Sequence, residues 1–186
     1  MQILVIGGTR FIGPAVVRRL IAVGHEVAVL HRGRTRADLP AGAEEVLADR
    51  EELLSLAPQI RALAPRVVLD MIPYTEDDAR GVMETFRGSA ERVVAVSSGD
   101  VYRAFDGLRR ASDAPPTAAP LDEDAPLREV PYPHRTAATK PDEVAYRYDK
   151  IPAERVFLSD PGLPGTVLRL PCVHGRATTC AAPSST

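Results

Sequence analysis

Gly7-Gly8-Thr9-Arg10-Phe11-Ile12-Gly13 decides how this chain is read. It follows a short apolar run, Ile3-Leu4-Val5-Ile6, and opens a helical pattern from Pro14 to Val23. Strand, glycine turn and helix in that order are what a dinucleotide-binding fingerprint requires. Gly7 and Gly8 permit a tight turn and let backbone N–H groups approach a pyrophosphate with no Cβ in the way. The following helix start adds free N–H groups and a positive dipole end. Gly13 allows the helix to pack closely on the first strand. The common form of the motif has a further glycine where this chain has Arg10.

Outward from that turn the chain alternates. Met1–Ile6 reads as a strand buried on both faces. Val16, Val17, Leu20 and Ile21 recur with helical spacing, so they face a sheet. Strands follow at 26–30, 45–48, 66–72, 92–96 and 166–170. Helices are expected at 51–63, with an irregularity near Pro58, from an N-cap at Thr75 to Phe86, and over 142–158. Alternation of this kind implies an α/β doubly wound parallel sheet, with ligands beyond the carboxyl ends of the strands. Seven prolines between Arg103 and Pro141 mark a surface excursion at about 103–141. The domain is expected to occupy 1–175, and the small, polar stretch 176–186 reads as a disordered tail.

The totals narrow the function. The chain has 186 residues, enough for one domain with a sizeable core. A net charge of −2 gives no electrostatic case for nucleic acid or an anionic membrane. No apolar run approaches the roughly 20 residues of a membrane span. Two cysteines, Cys172 and Cys180, match no zinc spacing, and no metal site is expected. A cytoplasmic location is expected.

Four stretches in order resemble the extended short-chain dehydrogenase/reductase superfamily, specifically its NAD(P)-dependent epimerase/dehydratase group. They are the glycine turn, Val96-Ser97-Ser98-Gly99-Asp100-Val101-Tyr102, Tyr146-Arg147-Tyr148-Asp149-Lys150 with Glu154, and Leu168-Arg169-Leu170-Pro171-Cys172-Val173-His174-Gly175. The resemblance implies a Rossmann-like NAD(P)-binding fold and a Ser-Tyr-Lys site. Ser98 would orient a substrate oxygen, Tyr146 would be the acid/base, and Lys150 would favour the phenolate and hold the nicotinamide ribose. Tyr148 competes with Tyr146, and the register favours Tyr146. Pro152 should kink the late helix or make its start irregular. Asp100 falls where some dehydratases carry an acid.

For the cofactor, the resemblance implies contacts from Gly7, Gly8, Thr9, Arg10, Phe11, Ile12 and Gly13, from Asp49 to the adenine, and from Asp70, Met71 and Ile72 along the ribose side. An acid that would bind the adenosine ribose of NAD is replaced by His31-Arg32-Gly33-Arg34. Arg32 and Arg34, with Arg10, can grip a 2′-phosphate, which favours NADP over NAD.

Members of the group are commonly longer. The resemblance therefore implies that the substrate subdomain is largely missing here, leaving a chain that binds cofactor but turns over weakly. The implied partner is a small molecule with a hydroxyl or carbonyl, such as a nucleotide sugar, and the late helix is a common homodimer face in the superfamily. Two other functions stay open, a non-catalytic dinucleotide sensor and an RNA-binding atypical member. The acidic balance weighs against RNA.

Overall fold

A computed structural model describes residues 1–34, 39–109 and 120–174. The expected tail at 176–186, together with Gly175, Pro115 and Pro116, lies outside the described residues. Six strands, β1 Gln2–Ile6, β2 Glu26–His31, β3 Ala43–Leu47, β4 Val67–Asp70, β5 Arg92–Ser98 and β6 Gly165–Leu170, form one sheet in the order β3-β2-β1-β4-β5-β6. All neighbours are parallel; Leu4, for example, pairs with Ala28 on one side and Val68 on the other. The order reverses at β1, so the crevice for a ligand opens beyond Ile6, where the glycine turn begins.

β1 is buried because both of its faces are covered. Ile3 and Val5 pack with Val27, Val29 and Met71 against α1 (Gly13–Ala22), through Val17. Leu4 and Ile6 join the larger core on the other face, with Ile60 of α2 (Ala57–Ala62), Phe86 of α3 (Glu76–Phe86) and Phe157 of α6 (Lys150–Phe157). Period-2 alternation therefore feeds two separate apolar layers, which makes the sheet doubly wound. The edge strand β3 is largely exposed and carries Glu44 and Glu45, which discourages edge pairing.

Three elements depart from the sequence expectation. The helix at 51–63 is split into a single turn, Arg50–Glu52, and α2, whose first turn holds Pro58 where a missing N–H costs nothing. The excursion at 103–141 is not all surface. It opens with α4 (Arg103–Leu108), returns to bridge Tyr102 with Leu127, and buries Arg128. The helix at 142–158 is two helices, α5 (Val144–Arg147) and α6, with extended backbone at Tyr148 and Asp149 between them. Pro152 explains that break. In a continuous helix it would owe a hydrogen bond to the Tyr148 carbonyl and its ring would strike that carbonyl. Restarting at Lys150 places Pro152 in a first turn, where neither problem arises.

Candidate active site

The crevice has two ends, named for the roles the sequence leads one to expect: a nucleotide end at the glycine turn and a reaction end at Ser98. At the nucleotide end, Gly7 has φ 85°, and a Cβ there would lie 2.7 Å from Cγ1 of Ile72. A Cβ on Gly13 would lie 2.6 Å from the carbonyl of Gly8. Gly8 is wedged among Val5, Val17 and Val29. The turn thus sits flush on the sheet, with Thr9 half-buried and Arg10 and Phe11 exposed. Ile12 supplies no side-chain cap to α1, and the first turn carries no acid. An anion would meet a helix dipole with nothing already opposing it.

At the end of β2, His31 is buried. The Gly33 N–H donates to its Nδ1 at 3.2 Å, so its Nε2–H donates to Glu45 at 3.0 Å. The imidazole therefore fixes the turn that presents Arg32 and Arg34, both exposed. Arg32 reaches toward Asp49 at 4.0 Å, and Asp49 also caps the Arg50–Glu52 turn.

Two of the expected cofactor contacts lie in the interior. Asp70 is wholly buried, paired with the Arg50 guanidinium at 3.0 and 3.3 Å, and it accepts the Ile72 N–H at 3.0 Å. Met71 belongs to the layer beneath α1. The cause is strand alternation: Asp70 shares the face of Val68, and Arg50 neutralises it there. Burial alone would lower the Arg50 pKa, but Asp70 and Asp78 outweigh it and raise the pKa above its ordinary value. Ile72 does reach the crevice, closing over Gly7.

At the reaction end, Ser98 and Lys150 flank Tyr148 rather than Tyr146. The Tyr148 hydroxyl donates to Oδ2 of Asp100 at 2.7 Å, and the Ser98 side chain is near enough to pull its pKa down. Lys150 Nζ donates to the Val96 carbonyl at 3.0 Å and lies 4.9 Å from the Tyr74 ring centroid and 5.8 Å from that of Tyr148. Tyr146 points elsewhere. Its ring lies 3.9 Å from the Arg135 guanidinium, which has the Tyr132 ring at 3.8 Å. The interruption before α6 removes the one-turn spacing that would have put Tyr146 beside Lys150.

Electrostatics follow from burial. Burial and the Asp100 charge push the Tyr148 phenol well above its ordinary value. Burial brings Lys150 down to about 8, against the pull of Asp70 and Asp100. Burial would raise Asp100, yet hydrogen bonds from His134 and Tyr148 and the nearby Arg128 hold it below its ordinary value. Its Oδ1 is buried with no hydrogen-bond partner among the described residues. Sequence reasoning missed Tyr74, His134, Arg50 and Arg128. Their partners are distant in the chain, and no short motif announces them. For Tyr148, Pro152 four residues later was the available signal.

Among the described residues, no group of three or more His, Cys, Asp or Glu could hold a metal ion, and no helix is long and apolar enough to cross a membrane.

Strand order and glycine turn define a Rossmann-like NAD(P)-binding fold. Residues 3–70 match the model of the NAD dependent epimerase/dehydratase family. The 2′-dehydrokanamycin reductase of Streptomyces kanamyceticus is 36% identical over 98 residues, 53% of this chain and 28% of that protein. A 3-diazoavenalumate denitrifying reductase from a Streptomyces species is 31% identical over 135 residues, 68% of this chain and 44% of that protein. The UDP-glucose 4-epimerase of Thermus thermophilus, crystallised with NAD, superposes with a TM-score of 0.65 at 23% identity, covering 91% of this chain and 54% of that one. At that identity the likeness is one of fold. Over residues 3–70 the chain is thus similar to the NAD dependent epimerase/dehydratase family, and it shares the fold of a solved epimerase. The matched stretches span less than half of either reductase.

Proposed function

We propose that this chain is the cofactor-binding part of an NADP-dependent reductase or epimerase/dehydratase acting on a small hydroxyl- or carbonyl-bearing molecule, with Ser98, Tyr148 and Lys150 as its reactive group. The observation that carries this reading is the meeting of Ser98 and Lys150 at Tyr148. The nucleotide end fits a dinucleotide: the α1 start has no cap and no acid, and the glycine turn lies flush beneath it. Arg32 and Arg34, on a turn fixed by His31, suit a 2′-phosphate. A bound nicotinamide would supply or accept the hydride.

The side chains then divide the remaining work. A phenol kept protonated by burial and by Asp100 is the form that donates a proton to a carbonyl oxygen. To do so its hydroxyl turns from Asp100 toward the substrate. Ser98 holds the same oxygen, and the Lys150 ammonium favours the phenolate left behind. The unpartnered Asp100 Oδ1 offers an acceptor for a second substrate hydroxyl.

Two measurements test this. Under single-turnover conditions with NADPH and a panel of small ketones, Tyr148→Phe should slow carbonyl reduction by about a hundredfold or more, and Tyr146→Phe should not. The reverse pattern would return the role to Tyr146. For the cofactor, fluorescence titration should show NADPH binding tighter than NADH, and a double Arg32→Ala, Arg34→Ala variant should lose about tenfold for NADPH with little change for NADH. Tighter binding of NADH by the native chain would refute the 2′-phosphate argument.

A further inference from the structure

Arg128 has an enclosed guanidinium at the proposed reaction end, and its charge on Asp100 leaves most of its contacts unexplained. Its side chain is 1% exposed. It comes from the Pro-rich excursion, yet its contacts all lie around Tyr148. Nε donates to the Asp100 carbonyl at 3.1 Å. One terminal nitrogen donates to the Val130 carbonyl at 2.5 Å, and the other is paired with Oδ1 of Asp149. The Arg128 backbone N–H donates to the Val101 carbonyl at 2.8 Å, next to the Tyr102–Leu127 bridge. Asp149 in turn caps α6 by accepting the Ile151 N–H at 3.2 Å, and its Oδ2 accepts the Tyr132 N–H at 3.1 Å.

We infer that Arg128 is a positioning residue, whose guanidinium sets where Tyr148 and Lys150 stand relative to Asp100 by tying the Gly99–Val101 turn to the cap of α6. The inference rests on the reading of Ser98, Tyr148 and Lys150 as the reactive group. Tyr148 and Lys150 are the chain neighbours of Asp149, and both have their side chains in the interior. A buried carboxylate stripped of its cation is strongly destabilised and moves toward water. Asp149 cannot make that move without carrying Tyr148 and Lys150 with it. A lysine at position 128 would keep the charge but lose the planar fork that spans three acceptors at once. The same segment places His134 Nε2 3.4 Å from Asp100 and its ring edge-on to Tyr148, at 4.7 Å between centroids. The excursion is thus a wall of the site, and Arg128 is its anchor.

The chain has two lysines, Lys140 and Lys150, which gives a clean readout. With 15N-labelled lysine, the side-chain signals can be titrated separately, and Lys140 serves as the internal reference. In the native chain Lys150 should titrate near 8. The groups that face it are Asp70, Asp78, Asp100 and Arg50, with the rings of Tyr74 and Tyr148, and Arg128→Lys keeps the positive charge that acts on Asp100. In Arg128→Lys the expectation is a retained far-UV spectrum, a Lys150 midpoint raised by about one unit or more as its ammonium gains water, and weaker NADPH binding. The added lysine signal is assigned by its absence from the native spectrum. Asp149→Asn should behave alike, because it removes the other half of the pair. Folded Arg128→Lys and Asp149→Asn proteins with native Lys150 midpoints and native NADPH affinity would overturn the inference. Arg128→Ala should show a larger rise if it folds; if it does not, the other two variants decide. Lys150→Met separates this inference from the reading beneath it. Unchanged NADPH affinity in Lys150→Met counts against the reactive-group reading. Weakened affinity there, with Arg128→Lys native in every respect, counts against Arg128 alone.

Discussion

At the nucleotide end the working parts are backbone. Gly7 and Gly13 are needed because Ile72 and the Gly8 carbonyl occupy the space a Cβ would take, and the start of α1 offers N–H groups that no side chain caps. At the proposed reaction end the side chains are held by buried and half-buried ion pairs: Arg50 with Asp70 and Asp78, Arg128 with Asp149, and Arg169 with Glu154. The two ends share one sheet edge but are stabilised differently. A backbone site is specified by residues adjacent in the chain. A site of paired charges needs partners from several elements and fails if either partner is lost.

The largest effect should come from breaking one of those pairs. Arg50 sends hydrogen bonds to both oxygens of Asp70 and to the Ile72 carbonyl at 2.7 Å, with Nε 2.8 Å from Asp78. Asp70 has no exposure to water. Arg50→Met would leave that carboxylate uncompensated, at a cost of about 3–5 kcal/mol in unfolding free energy by urea titration. A loss below about 1 kcal/mol would mean that Asp70 finds another partner, and that the contrast between the two ends is overstated.

What could be read from the sequence follows the same division. The alternation of strands and helices, the glycine turn and the Thr75 cap were legible because each rests on neighbours in the chain. Ser98 was legible as a strand end. The Arg50–Asp70 and Arg128–Asp149 pairs span 20 and 21 positions, and no local periodicity marks them. That Asp70 and Met71 turn into the interior was not legible, because a strand end does not tell which face receives each side chain. The tyrosine is the instructive case. Tyr146 and Lys150 have helical spacing in the sequence, but Pro152 forbids a helix through Tyr148, and the restart brings Tyr148 inward instead.

At the nucleotide end the strongest single test is Gly13→Ala. The added methyl would sit 2.6 Å from the Gly8 carbonyl carbon and oxygen, both backbone, so the turn or α1 must shift. A cost of about 1–3 kcal/mol is expected, and NADPH affinity should fall with it because the displaced atoms are those of the phosphate turn. Lost stability with full NADPH affinity would show that the turn and the cofactor site are separable.

The smallest effect distinguishes two helix starts on the same sheet edge. α3 is closed: Thr75 Oγ1 accepts the Asp78 N–H at 3.1 Å, Asp78 Oδ2 accepts the Thr75 N–H at 2.9 Å, and Glu76, Asp77 and Asp78 fill its first turn. α1 has none of these. A capped, acidic start has already satisfied its N–H groups and repels a phosphate, whereas an uncapped one retains both the donors and the dipole. Thr75→Ala should therefore cost about 1 kcal/mol of stability in urea and leave NADPH affinity unchanged. If the cofactor were lost with Thr75 as well as with Gly13, both helix starts would serve the ligand, and the division between an open and a closed terminus would not hold.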